Sequence, residues 1–302
     1  MKDRFEPYFK EYPEELTFLI SLLRGHSTTK GQYAELQLND KNLLYYARRH
    51  KLIPFIAPHL KKNPPSGFSA FDRLSRIQQE NTQRTMAMLR EMVVLSKTLQ
   101  EKNIPHLMLK GPVLSQLLYD NPYQKNSIDI DVLISLDNLE TVDNFLRTNY
   151  ERSYPSIELT EKQKKINYHL THHYAYLHKT FRFPLEIHWN LINPYSLLPF
   201  PFEQLFRNTR SIDINGWKIP TINRKYYLVY LAVHGSKHRW YFLSWLKDFA
   251  ELIIQTSTTD QHEAIDQCIA LHLEKPVVQS YILAHLFFDT KIPARIMELY
   301  NQ

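Results

Sequence analysis

The sequence predicts an α+β protein in which a strand-containing core lies between helical regions at the two ends of the chain. Before residue 104 and after residue 222, apolar residues recur every three or four positions, as in amphipathic helices. Between these limits, β-branched residues alternate with other residues at period two, and an Asn-Gly pair marks a hairpin turn. We therefore expect an N-terminal helical region (1–103), a core (104–220) and a C-terminal helical region (221–302).

Length and composition indicate a globular protein without membrane spans. The 302 residues are 43% hydrophobic, and no apolar stretch approaches the ~18–20 residues that a span needs. Residues 1–7 lack the apolar stretch of a signal peptide, so we expect a cytoplasmic protein. Cys268 is the only cysteine, which excludes an internal disulfide and a thiolate metal cluster. The net charge of +6 suits an anionic partner such as a nucleoside triphosphate or RNA.

The N-terminal region contains three segments with the pattern of amphipathic helices. Residues 13–23 are apolar and have acidic residues in the first turn, and Asn39 can cap a helix that runs to Arg49. After a Pro-rich loop, the apolar residues of 71–99 are spaced by three, four or multiples of these, which predicts one long helix. We expect this long helix to act as a spacer or a brace.

A turn that contains a scarce glycine opens the core. Residues 105–109 are mostly apolar and predict a short strand, Gly111 supplies backbone freedom for a turn, and Pro112 suits the start of a helix that ends near Tyr119. The chain has only six glycines, whereas average usage is about 7%. We therefore expect Gly111 to be required by the backbone at this turn.

Two aspartates lie on the next predicted strand, residues 128–134. Isoleucine and valine occupy one face of this strand, and Asp129 and Asp131 share the other. At a rise of roughly 3.3 Å per residue their Cα atoms lie about 6–7 Å apart, so the two carboxylates can share a divalent ion. Aspartate is disfavoured in strands, and two on one face repel each other unless a cation lies between them. The alternative is a solvated strand face.

A third carboxylate follows in a predicted antiparallel hairpin. Residues 169–178 and 181–189 are expected to form two strands joined by a tight turn at residues 179–180. In the second strand, Glu186 and His188 share the face opposite the apolar residues. Glutamate on a strand is usually a surface residue, and a strand histidine often only bonds a neighbour, so both alternatives stay open.

Four histidines in the first strand of this hairpin raise the question of a zinc site: His169, His172, His173 and His178. On a strand, His172 and His173 would point to opposite sides. Because no cysteine is available to complete a closed tetrahedral site, the spacing does not favour zinc.

The rest of the chain is predicted to contain a second hairpin and then helices. Residues 211–220 have Asn-Gly at a turn, a strong hairpin signal. A helix over 226–239 places His234 and His238 on one face, four residues apart, with Lys237 beside them. These three residues could meet a phosphate or an acceptor, or they could be charges at a helix end on a basic surface.

Taken together, these motifs resemble a known family. Lys110-Gly111, a helix and then Asp129-Ile130-Asp131 resemble the nucleotidyltransferase superfamily with the DNA-polymerase-β-like core. More closely, they resemble a bacterial branch of uncharacterised nucleotidyltransferases that has a Leu-Lys-Gly turn followed by Asp-Ile-Asp. The tetrapeptide Glu-Ile-His-Trp at 186–189 is similar to an Asp/Glu-x-His-Trp element of the same branch. The resemblance covers residues 104–190, with weaker support over 223–250.

The resemblance implies a nucleotidyltransferase-like mixed sheet in the core and a set of site residues. It assigns catalysis, and the binding of two Mg²⁺ ions, to three carboxylates: Asp129, Asp131 and Glu186. It assigns nucleotide binding to seven residues: Lys110, Gly111, Lys125, His188, His234, Lys237 and His238. The sequence departs from the pattern at three points. Lys125 stands where the family more often has arginine, which keeps the charge but loses the bidentate fork. Proline follows Gly111, and the segment from Gly111 to Asp129 is longer than is usual in the superfamily.

The resemblance also implies a reaction. A nucleoside monophosphate would move from an NTP, with ATP expected, to an unknown acceptor that is a small molecule, a protein or RNA, and pyrophosphate would leave. Two alternatives remain open. The first is a protein that binds a nucleotide or RNA without reacting, such as an antitoxin-like partner. The second is a kinase that transfers the γ-phosphoryl group. The three carboxylates, all present in this sequence, favour catalysis.

Overall fold

A computed structural model describes residues 11–24 and 38–302. The prediction about a signal peptide concerns residues 1–7 and lies outside the described residues. The helices in chain order are α1 (Glu14–Leu23), α2 (Asp40–Arg49), α3 (Ile53–Lys62), α4 (Phe71–Glu101), α5 (Pro112–Tyr119), α6 (Leu139–Leu146), α7 (Glu161–Leu170), α8 (Phe202–Arg207), α9 (Arg224–Lys237), α10 (Leu243–Gln255), α11 (Thr258–Ala270), α12 (Glu274–Phe288) and α13 (Ala294–Tyr300). The strands are β1 (His106–Met108), β2 (Ile130–Ile134), β3 (Tyr150–Tyr154), β4 (His173–His178), β5 (Pro184–His188), β6 (Thr209–Ile214) and β7 (Trp217–Ile222).

The chain divides into two compact units. One unit comprises 1–83, 124–126 and 231–302, and the other comprises 84–123 and 127–230. The second unit contains every strand of the described chain. The division into three regions at residues 103 and 220 stays a prediction.

A five-stranded sheet forms the centre of the strand-containing unit, in the order β1-β2-β5-β4-β3. β2 and β5 are parallel, and the other neighbours are antiparallel. Parallel neighbours require a long crossover, and here the chain between β2 and β5 forms α6, β3, α7 and β4. The predicted α+β class with a mixed sheet is confirmed. All five residues of β2 are buried, as expected for a central strand.

The predicted strand, turn and helix around Gly111 are confirmed. β1 ends at Met108, Gly111 is the N-cap of α5, and Pro112 is the first residue of that helix. Gly111 has φ +64° and ψ −137°, a conformation that residues with a Cβ rarely adopt. The backbone N–H of Leu109 donates to the carbonyl of Asp131 at 3.0 Å, which continues the β1–β2 contact up to the turn.

The predicted hairpin of residues 169–189 forms, but both strands begin later than expected, and residues 179–183 connect them instead of a tight turn at 179–180. α7 extends to Leu170 and β4 starts only at His173. The helix begins with a capping box, in which Thr160 accepts from the backbone N–H of Gln163 while the Gln163 side chain accepts from that of Thr160. This signal is present in the sequence and favours a helix, which includes residues 169 and 170 that were predicted as part of the strand.

The second hairpin agrees with the prediction. β6 and β7 pair antiparallel, with Ile214 opposite Trp217. Asn215 and Gly216 form the turn with φ values of 53° and 85°. Positive φ at both central positions is typical of a two-residue type I′ turn.

The other unit is helical in the part that the structure describes. Asn39 caps α2 by accepting from the backbone N–H of Asn42 at 3.1 Å, as predicted. α10 and α12 pack through Phe249 and Tyr281, whose ring centroids lie 5.5 Å apart. Within the described residues, no helix combines the length and apolar character that crossing a membrane requires.

Candidate active site

The central parallel strand pair brings three predicted site residues together. Asp131 on β2 lies opposite Glu186 on β5, and His188 follows two residues later on the same face of β5. His188 Nε2 lies 3.0 Å from Asp131 Oδ1 and 3.1 Å from Glu186 Oε2. Asp131 and His188 are each only 2% exposed, whereas Glu186 is half-buried. The imidazole therefore bridges two carboxylates at the centre of the sheet.

Lys110 adds a second cation to this cluster from the turn after β1. Its Nζ lies 3.4 Å from Asp131 Oδ2 and 5.9 Å from the ring centroid of Tyr230. The lysine is held there because it follows Leu109, which is hydrogen-bonded to the backbone of Asp131. The predicted Lys110-Gly111 turn and the predicted aspartate strand are thus directly adjacent.

Opposite charges in the cluster outweigh the cost of burial. Burial disfavours the charged lysine, but Asp131 raises the pKa of Lys110 well above its usual value. Burial likewise disfavours the carboxylate, but Lys110 and His188 lower the pKa of Asp131. Hydrogen bonds to Asp131 and Glu186 raise the pKa of His188 in spite of its burial. His188 thus donates to the carboxylates.

The residues present fit a divalent ion. Asp131, Glu186 and His188 offer ligand atoms that all lie within 4.8 Å of one another. Asp131 Oδ2 is buried and accepts no hydrogen bond, although Lys110 Nζ forms an ion pair with it. A buried carboxylate oxygen with spare acceptor capacity is the kind of hard ligand that Mg²⁺ prefers.

Asp129, the third predicted carboxylate, is placed differently from the other two. It lies one residue before β2, is half-buried, and belongs to neither group of close metal-binding atoms found among the described residues. It still contributes to the high pKa of Lys110. The structure therefore brings Asp131 and Glu186 together, and it places Asp129 just before β2, near enough to Lys110 to raise the pKa of that lysine.

The backbone oxygen of Asp129 explains why residue 111 is glycine. A Cβ at Gly111 would lie 3.3 Å from the Asp129 carbonyl oxygen and 3.6 Å from the Ser127 hydroxyl. Any side chain at position 111 would therefore press on the segment that leads into β2.

His172 and His173 lie beside His188, contrary to the reasoning from sequence. Because β4 begins at His173, the alternation of a strand does not apply to His172. The ring centroids of His172 and His173 are 4.6 Å apart, and each lies 5.2 Å from that of His188. The prediction that these two side chains point apart was wrong.

The remaining predicted nucleotide-binding residues belong to the helical unit. His234 and His238 share one side of the chain, as predicted, with ring centroids 4.7 Å apart. Lys125 forms an ion pair with Asp248, whose side chain is only 2% exposed. A role of these residues and of Lys237 in nucleotide binding stays a prediction.

The sequence also matches a family model over most of its length. The model describes an uncharacterised nucleotidyltransferase family, and it matches residues 37–289. The chain belongs to this family. The match confirms the resemblance based on the Leu-Lys-Gly turn and the Asp-Ile-Asp strand, and it extends to the end of α12.

Other comparisons of this nucleotidyltransferase-family protein give only distant similarity. It resembles the crystal structure of an antigenic nucleotidyltransferase-like protein from Paracoccidioides brasiliensis, with a TM-score of 0.40 and 13% identity. The alignment covers 70% of this chain and 96% of that one. No curated protein sequence matches significantly.

Two residues near the site of this family member, Thr221 and Tyr227, were not predicted from the sequence. The Tyr227 hydroxyl donates to the carbonyl of Leu109, and the Thr221 hydroxyl donates to that of Met108. The two hydroxyl oxygens are themselves 2.6 Å apart. These hydrogen bonds anchor the end of β1, and thereby the Lys110 turn, to β7 and α9. Because the bonded residues are 113 and 118 positions apart in the sequence, no local sequence pattern predicts these contacts.

Proposed function

We propose that this protein is a metal-dependent nucleotidyltransferase that moves a nucleoside monophosphate from an NTP to an acceptor. The main support is the pairing of Asp131 with Glu186 across two parallel strands, beside Lys110 and the Gly111 turn. Two buried or half-buried carboxylates with a nearby cation suit a site for a metal-bound triphosphate. Membership of a nucleotidyltransferase family supports the same reaction.

The proposed reaction forms one bond and breaks one. An acceptor oxygen bonds to the α-phosphorus, and the bond from that phosphorus to the oxygen that bridges to the β-phosphate breaks. Pyrophosphate leaves with the electron pair, and Glu186 accepts the proton of the acceptor hydroxyl. Catalysis of this kind depends mainly on positioning and on stabilisation of negative charge.

Three carboxylates would hold the metal in this proposal: Asp129, Asp131 and Glu186. Two bound Mg²⁺ ions would neutralise the triphosphate and lower the pKa of the attacking hydroxyl. Lys110 would exchange part of its pairing with Asp131 for a phosphate oxygen. The backbone N–H groups in the first turn of α5, after Pro112, would donate to a phosphate.

Further parts of the proposal depend on the family resemblance alone. Five more residues are proposed to contact the nucleotide or the acceptor: Lys125, His188, His234, Lys237 and His238. We expect ATP as the NTP, and the acceptor class stays open between a small molecule, a protein and RNA. A cytoplasmic location and a bacterial origin are likewise predictions from the sequence.

The first experiment is calorimetric titration with each NTP, with and without Mg²⁺. We expect binding that requires Mg²⁺ and that is lost in Asp131→Asn and in Glu186→Gln. Glu151→Gln is the matched control, because it removes one carboxylate charge from an exposed position of the same sheet. Unchanged binding in both site variants, or no binding of any NTP, would contradict the proposal.

Analysis of the products then separates the alternatives. An acceptor screen with ATP should release pyrophosphate and yield an adenylylated product. Release of ADP would indicate a kinase instead. Mg²⁺-dependent binding without turnover for any acceptor class would favour a nucleotide-binding protein without catalysis.

A further inference from the structure

Three histidine side chains converge on one side of the central sheet. His173 on β4 lies opposite His188 on β5 in the antiparallel register, and His172 immediately precedes β4. Each imidazole offers a nitrogen, and the three nitrogens all lie within 4.8 Å of one another. His172 and His173 are half-buried, whereas His188 is buried.

Two of these imidazoles have a buried nitrogen without a partner. His188 is 2% exposed, its Nε2 contacts Asp131 and Glu186, and its Nδ1 is buried and makes no hydrogen bond. His173 has its Nε2 4.0 Å from Glu186, and its Nδ1 is also buried without a hydrogen bond. Leaving such a nitrogen unpaired in a folded protein costs free energy, so each site of this kind calls for an explanation.

We propose that His172, His173 and His188 form a second metal site, which binds a divalent transition ion such as Zn²⁺ through three imidazole nitrogens. The Nδ1 atoms of His173 and His188 are the proposed donors, because their Nε2 atoms face carboxylates. Any proton on these Nδ1 atoms would be released to solvent when the ion binds. An imidazole that ligates a metal usually donates its other N–H to a carboxylate, which orients the ring and makes it a better ligand. Asp131 and Glu186 are already in that position for His188.

The donor set selects a metal different from the one proposed for the carboxylates. Imidazole nitrogen suits Zn²⁺, Cu²⁺, Ni²⁺ and Fe²⁺, whereas carboxylate oxygen suits Mg²⁺. Three protein nitrogens leave a fourth position of a tetrahedral ion open, which is the arrangement of zinc sites that bind water or a substrate. This second site does not depend on the proposed nucleotidyl transfer.

The test uses the full-length protein without a histidine tag, stripped of metal by a chelator and then kept in excess Mg²⁺. Titration with Co²⁺ should give visible absorption bands of a cobalt ion with nitrogen ligands, saturating at one ion per chain. Zn²⁺ should displace the Co²⁺. X-ray absorption of the zinc form should show imidazole ligands at about 2.0–2.1 Å.

Variants assign the ion to the histidines. His172→Ala and His173→Ala should each weaken the affinity for Zn²⁺ by at least about tenfold, the scale of effects that even outer residues of metal sites produce. His169→Ala is the matched control, because His169 is an exposed histidine near the end of α7, and it should bind as the unmodified protein does. Circular dichroism and thermal unfolding of each variant confirm that it is folded.

Two results would overturn the proposal. The first is the absence of stoichiometric Co²⁺ or Zn²⁺ binding by the folded protein. The second is binding that persists in both His172→Ala and His173→Ala and disappears in Asp131→Asn, which would place the ion on the carboxylates. Mg²⁺-dependent NTP binding, measured on the same samples, shows separately whether the proposed nucleotide site works.

Discussion

His188 donates a hydrogen bond to Asp131 across 3.0 Å, although 57 residues separate the two in the sequence. The same nitrogen lies 3.1 Å from Glu186. In this protein a buried imidazole therefore occupies the space between two carboxylates where a metal ion would also be attracted. Either the positive charge of His188 or that of a bound metal ion can neutralise the two carboxylates.

Replacement of His188 by asparagine should destabilise the protein and make its stability depend on Mg²⁺. The two carboxylates would lose a buried cationic partner, which costs about 3 kcal/mol. Added Mg²⁺ should therefore raise the melting temperature of His188→Asn more than that of the unmodified protein. Differential scanning fluorimetry over a series of Mg²⁺ concentrations measures this difference, and equal shifts in the two proteins would contradict it.

Gly111→Ala should reduce both stability and NTP binding. The positive φ and the contact with the Asp129 carbonyl oxygen together should cost about 1–3 kcal/mol in the free energy of unfolding. Gly216→Ala is the control, because Gly216 also has positive φ but has nothing within 4 Å of its Cβ position. It should lose stability in urea denaturation and keep its NTP affinity. Equal affinities of the two variants would argue against a role of the Gly111 turn in binding.

Asp143 is the centre of a polar network that joins α6 to β3 and β4. Its carboxylate accepts from the Tyr176 hydroxyl at 2.8 Å, from Arg152 at 2.9 Å and from Arg147 at 2.7 Å. Asp143→Ala should cost about 3 kcal/mol in the free energy of unfolding, because it leaves buried donors without an acceptor.

Glu158 provides the control for this network. It pairs with the same two arginines, but its side chain is 70% exposed. Glu158→Ala should leave the stability in urea nearly unchanged, since exposed ion pairs contribute little. A similar loss in the two variants would show that burial is not the source of the effect.

His50 should make the protein less stable as the pH falls. Burial, aided by the charge of Arg49, lowers the pKa of His50 to about 4. In the unfolded chain the imidazole has its usual pKa of about 6.5, so the unfolded state takes up the proton first. Stability should decrease as the pH drops from about 6.5 to about 4, and His50→Gln should show a shallower decrease. His59→Gln, at an exposed position of α3, should follow the unmodified protein in denaturation series across this range.

Local patterns in the sequence were sufficient for much of the fold. Four features depend on residues within a few positions of one another: the Asn39 cap, the long helix from Phe71, the Gly111 turn and the Asn215-Gly216 hairpin. The capping box at Thr160 was equally local and predicts the start of α7, but it does not mark where that helix ends and β4 begins.

Only the tertiary structure decided how the site residues meet. Four relationships join segments that no local rule connects: the register of β2 against β5, the bridge that His188 makes, the convergence of His172 and His173 on His188, and the ion pair of Lys125 with Asp248. The sequence by itself determined the family and which residues are candidates for the site, because residue type and strand alternation are local properties. The packing of distant strands decided their distances, because a parallel pair takes its register from the whole crossover between its strands.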